Sequence, residues 1–250
     1  MKNNFLFDVH SHIDLVEEDI NKIILQATKN NVQKIISCST TFESNKKNLL
    51  LSNKYPQIKS AIGLYPLNVI ELNDNEIEQA FNFFKKNISK AIAIGEIGLD
   101  FKYSKNQSEQ EKQIEIFEKF IELGKKENKP LILHSRYAQR EILNILEKNN
   151  AKKVILHGFI ESKKLMAKAA ENDYYISVGP IVLENEIIQE NIINFSLEHL
   201  LFETDSPIRF DNNIVFPEKI KNIASKVAEL KKTNLNEITK LQTILFNKIF

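Results

Sequence analysis

A chain of 250 residues with 42% apolar and 27% charged side chains has an ordinary globular composition and enough length to bury a sizeable core. Its formal charge of +1 excludes a global basic field, so any phosphate binding must be local. A single cysteine, Cys38, excludes an internal disulfide. The start MKNNFLFDVHSH meets charge too soon for a signal peptide, and no apolar run approaches the ~20 residues that span a bilayer, so the expectation is a cytoplasmic protein with no membrane contact.

Short apolar runs alternate with longer amphipathic stretches along the whole chain. Residues 5–9 read as a first buried strand that runs into Asp8-Val9-His10-Ser11-His12, followed by a helical pattern over 17–30. A second strand at 34–38 precedes a helix at 42–54, and a third at 59–63 precedes one at 75–86. The fourth strand, 91–95, leads into Gly95-Glu96-Ile97-Gly98-Leu99-Asp100 and then the clearest helix, 108–128, with apolar Ile114, Phe117 and Ile121 spaced on one face. The fifth, 130–134, ends in His134-Ser135-Arg136 before a helix at 138–149. The sixth, 153–157, ends in His157-Gly158-Phe159 before 162–172. A seventh strand at 174–178 and helix at 184–194 lead to an eighth strand, 200–204, which enters Glu203-Thr204-Asp205-Ser206-Pro207. The tail from Pro217 reads as two further helices divided near Thr233-Asn234.

Eight buried-type strands, each followed by a helix, predict a parallel sheet, and that count in ~250 residues matches an α/β (β/α)8 TIM-like barrel with extra C-terminal helices. An open doubly wound sheet is the alternative, weakened in its dinucleotide form by the lack of G-x-G-x-x-G after the first strand. No internal repeat or Pro/Gly/Ser-rich linker divides the chain, which reads as one hydrolase domain over residues 1–250.

The polar residues at strand ends carry the functional reading. In a parallel barrel all strand carboxyl ends open on one face, where active sites sit. Extended backbone sends residues i and i+2 the same way, so His10 and His12 project together. Taken singly, each candidate has a bland reading: a buried histidine is commonly a satisfied core residue, and an aspartate before Ser-Pro a turn or cap. Those readings would have to hold together at five strand ends. His10, His12, Glu96, His134, His157 and Asp205 form a nitrogen–oxygen set without sulfur, suited to Mg, Mn or Zn. Six donors exceed one tetrahedral ion with an open position and suit two divalent ions bridged by Glu96. Such ions make hydroxide available near neutral pH, and Asp205 would position or deprotonate the attacking water. This chemistry is metal-assisted hydrolysis, with phosphodiester and acyl-type bonds both open as targets. Arg136 could meet an anionic substrate or form a structural ion pair. Lys102 and Tyr103 read as a solvated loop near the cleft, His199 as a surface residue and Cys38 as an apolar filler.

Six segments occur in the order of the TatD-like metal-dependent DNase family: Asp8-Val9-His10-Ser11-His12-Ile13-Asp14, Ala61-Ile62-Gly63-Leu64-Tyr65-Pro66, Gly95-Glu96-Ile97-Gly98-Leu99-Asp100, Leu133-His134-Ser135-Arg136, His157-Gly158-Phe159 and Phe202-Glu203-Thr204-Asp205-Ser206-Pro207. The chain resembles that family over nearly its whole length, including a terminal Leu245-Phe246-Asn247-Lys248-Ile249-Phe250. The resemblance implies an amidohydrolase-type barrel, a divalent-metal site on the six residues above, and nuclease activity on DNA, often exonucleolytic. Two positions depart from the family pattern. Gly-x-His-Pro reads Gly63-Leu64-Tyr65-Pro66, and Asn-Glu-Pro reads Val215-Phe216-Pro217. Tyr65 can hydrogen-bond a phosphate oxygen but cannot replace imidazole as a base near neutral pH. Two other functions stay open at this level: a metal-dependent hydrolase of a small-molecule or aminoacyl ester, and a metal-retaining binding protein without turnover. No obligate protein partner is indicated.

Overall fold

A computed structural model describes residues 4–160 and 162–250; the first three residues of the amino-terminal stretch considered above lie outside it. Among the described residues, eight parallel strands form one sheet in chain order: β1 Leu6–Ser11, β2 Val32–Cys38, β3 Ile58–Ile62, β4 Ala93–Asp100, β5 Leu131–Arg136, β6 Val154–Leu156, β7 Tyr175–Val178 and β8 Leu200–Phe202. The helices between them are α1 Ile20–Lys29, α2 Phe42–Lys54, α3 Pro66–Glu71, α4 Asp74–Asn87, α5 Gln107–Glu127, α6 Gln139–Lys148, α7 Lys163–Glu171 and α8 Glu186–Asn194. A two-stranded hairpin, β9 Arg209–Phe210 with β10 Asn213–Ile214, follows β8, and α9 Ile220–Leu230 and α10 Leu235–Ile249 end the chain.

The expected (β/α)8 barrel is what forms. The sheet curls until β1 approaches β8, and the seam is bridged by specific bonds. Thr204 donates its N–H to Asp8 Oδ1 at 3.0 Å, Asp205 N–H reaches His10 O at 2.9 Å, and His12 N–H reaches Ser206 O at 2.6 Å. Burial pushes the Asp8 carboxyl well up, with the Thr204 hydrogen bonds opposing it.

Side chains alternate between two buried layers, as strands covered on both faces require. Phe7, Val9, Ile36, Cys38, Ala61 and Ile132 are among those filling the barrel interior. Leu6, Ile35, Ile94, Leu131 and Val154 face outward against the helices. Helix α10 plugs the amino-terminal end of the barrel. Leu245 and Ile249 join the interior cluster, and Phe246 stands edge-on to Phe5 and Phe7 at ring separations of 5.4 and 5.1 Å.

Asparagine starts several helices: Asn73, Asn106, Asn185 and Asn234 each accept a backbone N–H at the N-cap of α4, α5, α8 and α10. The strand and helix positions agree with the sequence reading, with two omissions and one extension. Helix α3 and the β9–β10 hairpin were not anticipated. Strand β4 runs on to Asp100, where the sequence placed its end at Gly95.

Candidate metal centre

The carboxyl ends of five strands converge at the barrel mouth. His10 lies on β1 and His12 one residue beyond it, Glu96 on β4 and His134 on β5; His157 follows β6 and Asp205 follows β8. The β1–β2 ladder shifts register between Asp8 and Ser11, so the two β1 histidines are aimed by an irregularity in the strand as well as by its alternation. Their rings meet edge-on at 4.9 Å. Gly98 shows why β4 carries glycine beside the site. Its φ is +130°, and a Cβ there would stand 2.2 Å from His134 O, so no larger residue lets β4 lie against β5 at this point.

The two oxygens of Glu96 face different donors. Oε2 lies 3.8 Å from His10 Nε2 and 3.4 Å from His12 Nε2, and Asp205 Oδ1 lies 3.4 Å from each of those nitrogens. Oε1 lies 2.9 Å from His134 Nδ1 and 3.1 Å from His157 Nε2, and those two nitrogens are 3.2 Å apart. Donors bound at ~2.0–2.2 Å to one ion stand about 3–3.5 Å from one another, and apart from the 3.8 Å between His10 and Glu96 the separations in both groups are close to that spacing. His10 adds a second sign of fit. It is fully buried, and among the described residues neither ring nitrogen makes a hydrogen bond. A buried polar atom left unpaired is costly, and a cation between these donors would satisfy it.

The electrostatics couple the two groups. Burial alone would raise the Glu96 carboxyl, but His10 and hydrogen bonds from His134 and His157 hold it well below the usual range. Burial likewise opposes ionisation of Asp205, and the neighbouring imidazoles of His10 and His12 override it. Burial would lower His12, yet Asp205 and Glu96 lift it to about 9. His10 moves the other way, lowered by burial and by neighbouring His157. A cluster of ionised carboxylates among imidazoles is a site built for positive charge.

A surrounding set of groups orients the rings. His12 Nδ1 lies 2.9 Å from Cys38 O, which leaves Nε2 toward the carboxylates. His134 Nε2 lies 3.1 Å from Asp100 Oδ2, which leaves Nδ1 toward Glu96. Beyond His157, the Glu203 carboxylate stands 3.6 Å from Nδ1 and accepts a hydrogen bond from Ser177. Asp100 and Glu203 were not singled out from sequence, although both lie inside the quoted strand-end motifs.

Tyr65 reaches the same cluster, donating to Asp100 Oδ2 at 2.9 Å with its oxygen 3.2 Å from His134 Nε2. Burial and the Asp100 charge push its phenol far up, so it stays protonated. Arg136 ends β5 at the exposed rim, with its guanidinium carbon 5.7 Å from the Tyr103 ring. Cys38 is fully buried in the barrel interior, and His199 sits half-buried at the far end, bonded to Asp173 at 3.2 Å.

Comparison with known proteins places this geometry in context. The model of the family described as TatD related DNase matches residues 7–250. An uncharacterized metal-dependent hydrolase of Bacillus subtilis, YabD, is 28% identical over 98% of each chain. The human protein named Deoxyribonuclease TATDN3 is 25% identical over 98% of this chain and 94% of its own. The crystal structure of YJJV, a TatD homolog from Escherichia coli, superposes with a TM-score of 0.89 at 26% identity, covering 98% of this chain and 97% of that one.

Proposed function

The chain belongs to the TatD related DNase family and is a metal-dependent hydrolase acting on ester bonds, and from that premise we propose that it cleaves phosphodiester bonds of DNA, removing nucleotides from strand ends, with two divalent ions. The observation that carries this reading is the placing of Glu96, whose two oxygens face two adjoining donor groups that meet where the His10 ring stacks on His157 at 3.9 Å. His10, His12, Asp205 and Glu96 would hold one ion, and Glu96, His134 and His157 the other. The donors are nitrogen and oxygen only, which suits Mg, Mn or Zn.

When bound, such ions lower the pKa of water and offset charge on the attacking and leaving oxygens of a displacement. Glu96 keeps the two donor groups at a fixed separation. Asp205 Oδ1 faces the β1 histidines, leaving Oδ2 to accept the proton of the attacking water. The Asp205 side chain is 32% exposed, so a substrate at the mouth can reach it. Tyr65 keeps its proton and would turn it from Asp100 to a phosphate oxygen when substrate enters. Arg136 would meet phosphate at the rim.

The proposed ligands come from β1, β4, β5 and the segments that follow β1, β6 and β8, which supports reading residues 1–250 as one catalytic domain. Among the described residues no helix is long and apolar enough to cross a membrane. A lone, fully buried thiol at Cys38 suits the reducing cytoplasm, where we place the activity.

Protein loaded with Mg, Mn or Zn is expected to degrade single-stranded DNA carrying a label at one end, releasing mononucleotides. Glu96→Ala and Asp205→Ala should each bring the rate below about one thousandth of wild type. Elemental analysis of the wild type should find two ions per chain. Undiminished cleavage by both variants would overturn the reading.

A further inference from the structure

Beside the metal centre, the β4 and β5 ends carry a group of exposed side chains of which the proposed hydrolysis uses only Arg136. Lys102 and Tyr103 stand two and three residues after Asp100, and Arg136 and Tyr137 end and follow β5. The β4–β5 ladder pairs Asp100 with Arg136, and Phe101 N–H donates to Arg136 O at 2.9 Å, so the two loops form one surface. Tyr103 is 53% exposed and Tyr137 73% exposed. Lys102 Nζ lies 5.4 Å from the first ring and 5.8 Å from the second, with Arg136 on the first at 5.7 Å. Tyr137 holds φ at +57°, a left-handed backbone uncommon for an aromatic residue and of the kind that clusters at ligand sites.

The surface is fixed rather than loose. Gln113 on α5 accepts Asp100 N–H at 2.8 Å and donates to Asp100 O and to Ser104 Oγ. It also sits one carboxylate away from the centre. Asp100 Oδ1 accepts Lys102 N–H at 3.1 Å, while Oδ2 holds Tyr65 and His134.

We infer that Tyr103 and Tyr137, with Lys102 and Arg136, form a ledge on which an unpaired base of a DNA strand stacks while the cations meet its phosphates. Two exposed rings with interleaved cations are the combination that binds single strands without reading their sequence. On a chain of formal charge +1, this gathering of positive charge at the mouth is local. The inference deepens the nuclease reading and rests on it for the identity of the ligand.

The test is fluorescence anisotropy of a labelled thymidine oligonucleotide of about 12 nucleotides. An abasic strand of equal length is measured alongside it. Both are titrated with wild-type protein in EDTA, so that binding is measured without hydrolysis. The thymidine strand should bind about tenfold tighter or more, and Tyr103→Ala and Tyr137→Ala should each cut that preference about fivefold or more. Tyr103→Phe, which keeps the ring, should retain it. Equal affinity for the two strands, no binding of either, or an undiminished preference in both alanine variants would overturn the ledge. Cleavage of the thymidine strand by Mn-loaded wild type is scored separately. A base preference without cleavage upholds the ledge and defeats the nuclease reading; cleavage without the preference does the reverse.

Discussion

Asp100 shows how much of the centre depends on a residue outside the proposed ligand set. Its Oδ2 accepts from Tyr65 and faces His134 Nε2, and its Oδ1 caps the start of the next loop. Burial would raise its carboxyl, but hydrogen bonds from His134 and Tyr65 draw it below the ordinary aspartate value. By engaging Nε2 it fixes the ring so that Nδ1 points at Glu96. Removing such an orienting carboxylate typically costs tenfold to a hundredfold in metal affinity. Asp100→Asn is therefore expected to weaken Mn binding by about that factor in a competition titration with a chelating dye, while the fold survives. Unchanged affinity would mean that packing alone aims the ring. The six proposed ligands could be picked out in the sequence because each sits at or just beyond the end of a short apolar run, and a barrel gathers the ends of such runs on one face. Asp100 could not, because Gly95-Glu96-Ile97-Gly98-Leu99-Asp100 shows only that a strand is ending. Which of its residues turns inward depends on the positive φ at Gly98 and its contact with His134, and neither is written in the local sequence.

At the level of elements, the alternation of apolar runs and amphipathic stretches was enough to place all eight barrel strands, because strands buried on both faces read as continuous apolar segments. What escaped notice was short or polar. Helix α3 is six residues long and begins with Pro66, which reads as a loop signal although proline is well tolerated in a first helical turn. The β9–β10 hairpin has two-residue strands, too short for any period to show. The terminal helix α10 was legible from its periodicity, but its role as the plug of the barrel was not. Phe246 packs on Phe5 and Phe7 from the far end of the molecule, and Thr243 exchanges hydrogen bonds with the Phe5 backbone. Phe246→Ala should cost about 2 kcal/mol, below the usual range for a fully buried phenylalanine because the ring is only partly covered. Urea unfolding should show a lower midpoint with an unchanged slope, and metal affinity should stay near wild type. A matching loss of affinity would reveal that the plug and the mouth are coupled.

For the whole molecule, the buried carboxylates and imidazoles at the mouth make folding and ion binding one linked equilibrium. An ion that binds only the native state stabilises it by about 2.7 kcal/mol at a hundredfold excess over Kd. For a chain of this size each kcal/mol moves Tm by about 2–4 °C. Scanning calorimetry should therefore show Tm falling by several degrees in EDTA and rising again in steps with added Mn. A Tm indifferent to both would count against the donor set.

The seam between β1 and β8 adds a constraint in time. Asp8 and Thr204, which close it, are 196 residues apart in the chain. Asp205, the proposed acceptor of the water's proton, is made just after Thr204 and after every other proposed ligand. A nascent or prematurely terminated chain can carry His10, His12, Glu96, His134 and His157 and still lack the group that completes the centre. The order of synthesis therefore places the last proposed ligand after all eight barrel strands, so the donor set cannot be completed before the strands that hold it have been made.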